Sequence, residues 1–417
     1  MKIILATLGT SGDLNPFYAM GLELKKRGHD ILFLSSSFFE EEIKNLGFAF
    51  RSIGDKKEWE QILELFNPDE MAEFLPKEMK YLVLDSMRPL YEAISQEYEK
   101  DNTVIVNWQI LAGSRIAQDK LGIPVATIVL APSSFRSTIH FPRMGIKKVP
   151  QWLPRIYFKK IYKIIDSFND KILKTDIDTY RKELGLEPIN TTYDWLQSQD
   201  TMIGLFPHWF GEKQKDWPSQ SVTTTFPFFD KSHEKKLSTE IIEFLENGEP
   251  PIVFTPGSHF KKSLSFFQAA VDACERLNKR GILLAKYKEQ IPDNLPQTIK
   301  HFTYAEFSEL LPRVALFVHH GGIGSCAQAF RAGIPQIAVP WALDQFDNAS
   351  RIQNSGVGDE IVYWKLTGKK LAKKIDKLLS SQKVHQKCKK YAELLLAMDP
   401  LKETCDIIES LVKKEKP

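Results

Sequence analysis

Cysteine is scarce: Cys274, Cys326, Cys388 and Cys405 are the only four in 417 residues, and no two form a CxxC pair. A disulfide framework and a zinc knuckle are therefore excluded, and a reducing, cytoplasmic setting is expected. Long apolar runs are also missing. Stretches such as Val125-Ala126-Thr127-Ile128-Val129-Leu130-Ala131 fall far short of the roughly 18 to 20 residues that cross a bilayer. The opening Met1-Lys2-Ile3-Ile4-Leu5-Ala6-Thr7-Leu8-Gly9 lacks a small-residue cleavage pattern and reads as a first strand rather than a leader. Charge of one sign is absent too. Lys and Arg number 56 against 53 Asp and Glu, a net +3, which excludes nucleic-acid binding by bulk electrostatics. Metal-ligand spacing is lacking: His319-His320 has no Cys or carboxylate at useful distance, and Asp176-Ile177-Asp178 sits in a helical stretch where i and i+2 diverge. No metal and no cofactor are expected.

What remains is ordinary globular material, 43% hydrophobic and 26% charged, in a chain long enough for two domains. An apolar run from Ile3 to Leu8, a Gly-rich turn, a helix and a second run Ile31 to Leu34 spell β-α-β. Asn15-Pro16 reads as cap and first residue of that helix, and Gly28 as its end. A second βα series begins at Pro251 and passes through Ala315 to Val318 and Gln336 to Val339. The expected fold class is α/β, two Rossmann-like doubly wound parallel-sheet domains. Their expected spans are 1–228 and 251–395, with a linker at 229–250 and a terminal helix at 396–417 packing back on the first domain.

The strongest chemical signal is His319-His320-Gly321-Gly322-Ile323-Gly324-Ser325. Glycines between a buried strand and a helix let backbone amides approach an anion at the positive helix end, and His319 and Ser325 could donate to phosphate oxygens. Ligands of open α/β sheets lie beyond the carboxyl ends of strands, so Asp344-Gln345, after the next strand, should share an edge with His319. A carboxylate and an amide there suit sugar hydroxyls.

These residues resemble the inverting glycosyltransferases of the GT-B fold, which include antibiotic and sterol glycosyltransferases. The resemblance runs nearly the whole chain, through Gly9-Thr10-Ser11-Gly12-Asp13-Leu14-Asn15-Pro16, Arg27-Gly28-His29 and the block from His319 to Ala349. Leu205-Phe206-Pro207-His208-Trp209-Phe210 and Asp216-Trp217-Pro218 look nearest to the rhamnosyltransferase of rhamnolipid synthesis.

The resemblance implies an interdomain cleft in which a nucleotide sugar is held by the second domain. Gly257, Ser258, His319, Gly321, Gly322, Gly324 and Ser325 would meet the diphosphate, Asp344 and Gln345 the sugar, and Tyr304 and Ala305 the base. UDP and dTDP stay open, as do UDP-glucose and dTDP-rhamnose. Many relatives carry Gly-His-x-Asn-Pro where this chain has Gly12-Asp13-Leu14-Asn15-Pro16, so Asp13 takes the place of the general base, kept ionised by the helix dipole. Acceptor-side candidates are Ser11, Gly12, Trp108, Ser134, His140 and Phe141, around a hydrophobic acceptor. The implied activity is metal-independent hexosyl transfer with inversion. A sugar-nucleotide 2-epimerase or phosphorylase, or a catalytically silent sugar-nucleotide-binding protein, is the alternative. Residues 142–174 interleave aromatic and aliphatic side chains with Lys and Arg, a pattern that suits peripheral contact with an anionic membrane.

Overall fold

The computed structural model describes the chain except residues 146–148, 231–236, 258–259 and 414–417. Among the described residues thirteen strands run in chain order: β1 Lys2–Ala6, β2 Asp30–Ser36, β3 Ala49–Gly54, β4 Thr103–Trp108, β5 Val125–Val129, β6 Thr201–Gly204, β7 Ser221–Thr223, β8 Ile252–Thr255, β9 Gly281–Leu284, β10 Ile299–Phe302, β11 Leu316–His319, β12 Gln336–Ala338 and β13 Gly358–Glu360. They form two parallel sheets, ordered β3-β2-β1-β4-β5-β6-β7 and β10-β9-β8-β11-β12-β13. In each sheet the order reverses beside the first strand of the domain, the point where open α/β sheets leave a crevice at their carboxyl edge.

The strands are apolar on both faces because helices cover both. Ile3 and Leu5 of β1 enter one core, whereas Ile4 and Ala6 enter the core on the other side. In the second sheet Ile252 and Phe254 point one way and Val253 the other. The terminal helix Lys402–Lys413 sends Cys405, Ile408 and Leu411 into the first domain's core. There Arg27 pairs with Asp406 and Glu409, and His29 Nε2 lies 2.7 Å from Glu409 Oε1. His29 thus ties the terminal helix down.

The segment 229–250 is more than a linker. Helix Thr239–Glu246, capped by Ser238, buries Ile241 and Leu245 in the second domain's core, because its apolar stripe repeats at helical spacing. The two domains are joined by aromatics: Trp209 packs edge-on to Phe330 and tilted against Tyr391, at 5.0 and 4.6 Å between ring centres. Leu205 to Phe210, singled out in the sequence, therefore includes part of the interdomain packing. On the opposite lip Phe66 meets Trp341 at 4.8 Å, and Lys262 pairs with Glu70 at 2.7 Å.

Candidate active site

Asp13 is placed by a turn that differs from the expected one. The first helix spans Ser11–Lys26 with Thr10 as its N-cap, so Asp13 is its third residue and Asn15 and Pro16 lie inside it. Thr10 replaces Asn15 as cap because Asp13 reaches back to it: Asp13 Oδ2 accepts from Thr10 N at 2.8 Å and from Thr10 Oγ1 at 2.9 Å, a reciprocal capping box. Gly9 makes room, since a Cβ there would lie 2.6 Å from Asp13 Oδ2. Burial raises the Asp13 carboxyl to about 6, against the two Thr10 bonds that lower it. The dipole argument is corrected accordingly: loss of water outweighs the helix end, and the carboxyl is raised rather than held low.

The second domain presents its motifs at the carboxyl ends of β8, β10, β11 and β12. His319 departs from its expected role. Its side chain is fully buried, its Nδ1 accepts from Gly321 N at 3.1 Å, and its Nε2 lies 2.9 Å from Gln336 Oε1. Burial pushes it down to about 3, so it is neutral. With both nitrogens engaged by protein, His319 shapes the loop and does not face a phosphate. The imidazole on the loop itself is His320. A Cβ on Gly257 would lie 3.0 Å from His320 Cε1, and one on Gly322 only 2.4 Å from His320 Nε2. Two glycines of the expected diphosphate set, Gly257 and Gly322, thus make room for this ring. Gly324, at the first turn of helix Ile323–Ala332, is different: it is exposed, and a Cβ there would meet nothing within 4 Å. Its bareness costs helix stability and leaves open space at the helix end. Ser325 is half-buried and its hydroxyl makes no hydrogen bond among the described residues; Ser258 lies outside them.

Asp344 and Gln345 begin helix Gln345–Ser355. Gln345 Oε1 accepts from the amides of Trp341 and Ala342 at 3.0 and 3.1 Å, so only its Nε2 is left for a ligand. Asp344 Oδ2 accepts from Asn348 Nδ2 at 2.7 Å, and the same amide group donates to Gly321 O at 3.0 Å, locking the two loops together. Leu343, just before them, holds φ at +49° with its side chain exposed, a left-handed conformation that a bulky residue rarely adopts. Tyr304 is exposed with its hydroxyl on Glu306 at 2.7 Å, whereas the Ala305 side chain is buried, leaving main chain at this edge.

The sheets bring these groups to one cleft. Burial raises Asp344 to about 6, and the charge of Asp13 across the domains adds to it. A third carboxyl, unanticipated from sequence, shares the space. Glu78 lies on helix Met71–Met79 one turn after the buried Phe74, close enough to Asp13 for that charge to act on it. Glu78 has no hydrogen-bond or ion partner among the described residues. Burial, with the Asp13 charge second, holds it up at about 8. A π-helical stretch, Lys80–Asp85, follows directly and turns Tyr81 inward onto Ser36 Oγ at 3.0 Å. Such insertions re-aim side chains and recur at functional sites.

The remaining acceptor-side residues divide. Ser11 and Gly12 precede Asp13 at the helix start, Trp108 ends β4, and Ser134 follows β5 at the same sheet edge. Phe141 is corrected: it is buried, stacked on Phe158 at 4.5 Å and near Tyr162 at 5.1 Å, because the long helix Arg155–Glu183 needs a core beneath it. His140 is exposed and lines a cavity of about 230 Å³ with Trp209, Trp217, Arg351 and Tyr391. None of Asp13, Glu78 and Asp344 lines that cavity, so His140 belongs to the interdomain seam.

Comparison with known proteins fits this geometry. Residues 3–139 match the glycosyltransferase family 28 N-terminal domain, and residues 271–411 match the erythromycin biosynthesis protein CIII-like C-terminal domain. The O-mycaminosyltylonolide 6-deoxyallosyltransferase of Streptomyces fradiae is 25% identical over 98% of this chain and 97% of its own. The sterol 3-beta-glucosyltransferase of Candida albicans is 26% identical over 94% of this chain, which spans only 26% of that longer protein. Among solved structures, the calicheamicin glycosyltransferase superposes with a TM-score of 0.73 at 16% identity, covering 100% of this chain and 99% of its own. The glycosyltransferase VinC, in complex with DTDP, gives 0.71 at 17% over 99% and 100%. With two GT-B parallel-sheet domains and family matches on both sides of the cleft, the chain belongs to the glycosyltransferases of the antibiotic and sterol type.

Proposed function

We propose that this enzyme transfers a hexose from a nucleoside diphosphate sugar to a hydroxyl of a hydrophobic natural-product or lipid acceptor, by single displacement with inversion and without a metal ion. The observation that carries the reading is the carboxylate of Asp13, held by Thr10 at the end of β1 and electrostatically coupled to Asp344 on the other domain. A base on one lip and a sugar-binding acid on the other leave the reacting carbon between them, so attack comes from the face opposite the diphosphate. The acceptor hydroxyl gives its proton to Asp13 as its oxygen bonds the anomeric carbon, and the nucleoside diphosphate departs with the bonding electrons. Its developing charge meets the amides at the start of helix Ile323–Ala332 and the imidazole of His320, groups that serve where other transferases use a divalent ion.

The deoxyhexosyl relative and the DTDP complex of VinC favour a dTDP-sugar, and the sterol relative favours a glucosyl donor. Thermal-shift screening across UDP- and dTDP-hexoses separates these, because the bound donor stabilises by mass action. Transfer in excess EDTA, with the product's anomeric configuration read by NMR, tests the mechanism. Retained configuration, or activity lost to EDTA and restored by magnesium or manganese, overturns it.

A further inference from the structure

The helix Arg155–Glu183 has two unlike faces. Phe158, Tyr162, Leu173, Ile177 and Tyr180 are buried against the first domain. Away from them, Trp152 is 80% exposed, Ile164 70%, Phe168 58%, Ile156 55% and Tyr157 53%. Large apolar side chains scattered singly need no explanation, but these lie together. Ile156, Ile164 and Phe168 stand at multiples of four residues on one face, a row of about 18 Å at 1.5 Å per residue. Arg155, Lys159, Lys160, Lys163 and Lys171 are exposed among and beside them.

Acids do not balance this face. Between 151 and 171 the acidic residues are Asp166 and Asp170, both half-buried and both engaged. Asp166 pairs with Arg136, and Asp170 accepts from Thr192 N at 2.8 Å. The surface is thus basic and apolar, with cations placed where headgroups would lie and rings where they could sink beneath.

We propose that the exposed face of Trp152 to Lys171 docks this enzyme on an anionic bilayer surface, with the helix lying in the interface and its apolar row entering the acyl boundary. A second copy of the chain is the poorer occupant, since a two-fold interface would set this cationic face against its own image. Crossing the membrane is not required: among the described residues no helix is long and apolar enough. Docking brings the enzyme to a surface where apolar acceptors concentrate, yet it rests on this face alone and not on the assignment of the reaction.

The test is co-sedimentation of the full chain with vesicles of phosphatidylcholine, and of phosphatidylcholine with roughly one third phosphatidylglycerol, at low salt. Binding to the anionic vesicles should exceed binding to the neutral ones at least about tenfold. Lys159→Glu/Lys160→Glu/Lys163→Glu should remove that excess. Trp152→Ser/Ile164→Ser/Phe168→Ser should weaken anionic-vesicle binding about tenfold, since each lost apolar group forfeits its burial. Both triple variants change exposed side chains and should keep the native thermal midpoint and transfer to a water-soluble acceptor. Equal binding to both vesicles overturns the proposal, as does native-like vesicle binding by either variant. Dimerisation that the serine variant abolishes, with no vesicle binding by the native chain, assigns the face to a second copy instead.

Discussion

Replacing Asp13 by Asn separates its proposed role as base from the capping role that the structure shows. As the base, Asp13 supplies a proton acceptor whose loss should lower turnover by about 10² to 10⁴, or about 3 to 5 kcal/mol of barrier. As the capping-box residue it accepts from Thr10 N and Oγ1, and the Asn side-chain oxygen can accept both bonds. The amide forfeits only the charge–dipole contribution, about 0.3 to 1 kcal/mol. Burial acts the other way. Raising the carboxyl from 3.8 to about 6 means that its ionised form costs the fold up to about 3 kcal/mol above pH 6, less whatever cleft water screens. Because the folded-state value is the higher one, stability is full below the unfolded value and is lost as pH rises through 3.8 to 6. The Asn variant escapes that loss. It should therefore be at least as stable as the native enzyme at pH 8, lose any advantage near pH 4, bind the nucleotide sugar normally and turn over at least a hundredfold more slowly. Thermal midpoints across pH, donor titration and initial rates measure these quantities. A variant that is destabilised at every pH yet keeps its turnover would show that Asp13 is a cap and nothing more.

The two histidines should part company: His319→Ala leaves Gly321 N and the Gln336 amide without partners and should cost about 2 to 5 kcal/mol of stability. His320→Ala should leave the thermal midpoint nearly unchanged and weaken binding of free UDP or dTDP, measured by calorimetry. Gln345→Ala should spare the free nucleotide diphosphate and weaken the nucleotide sugar, with some loss of stability from the unpaired Trp341 and Ala342 amides; equal weakening of both ligands would refute the sugar assignment. Glu78, neutral below about 8, becomes a second anion beside Asp13 above it, so acceptor kcat/KM should fall at alkaline pH. Glu78→Gln should abolish that alkaline limb without altering donor affinity, and an unchanged limb in the variant would place Glu78 outside the acceptor site.

Much of this architecture was legible because strand and turn signals were strong. Val253 and Phe254, or Ile3 and Ile4, are apolar on consecutive positions in short runs bounded by turn residues, as a strand covered on both faces requires. Asn15-Pro16 is a good local signal for the cap of the first helix, yet the bonds of Thr10 to Asp13 favour Thr10. His319 and His320 could not be ranked by sequence, since side-chain alternation along β11 decides which one is buried. Phe141 read as a pocket wall because a lone aromatic after a strand looks alike whether it meets a ligand or a helix. Glu78 carries no motif at all. Its only trace is the i, i+4 spacing from Phe74 on an amphipathic helix, and its proximity to Asp13 arises from folding contacts between segments some 65 residues apart in the chain.

The proposed base also poses a chemical question, since the resemblance implies a carboxylate at a position where an imidazole is the commoner choice. An ordinary Asp at 3.8 is a feeble base at neutral pH, but burial brings Asp13 to about 6, close to the roughly 6.5 of an unperturbed imidazole. The environment supplies the basicity that the residue type lacks, and Gly9 is what permits that environment. Gly9 adopts φ +108°, and an added Cβ would stand 2.6 Å from Asp13 Oδ2 and 3.0 Å from its Cγ. In Gly9→Ala the carboxylate must swing off its two Thr10 partners toward the open cleft, while the left-handed backbone itself costs about 1 to 2 kcal/mol. Two effects on basicity then compete: the lost hydrogen bonds raise the carboxyl and the regained water lowers it. Burial is the larger of the causes in the native enzyme, so regained water should win. The acid limb of kcat/KM for the acceptor should move below pH 6 toward the ordinary carboxylate range, and turnover should fall at least about tenfold because the weaker base is also misplaced. A Gly9→Ala enzyme whose acid limb stays at pH 6 with native turnover would show that the folded-back carboxylate is not the catalytic one.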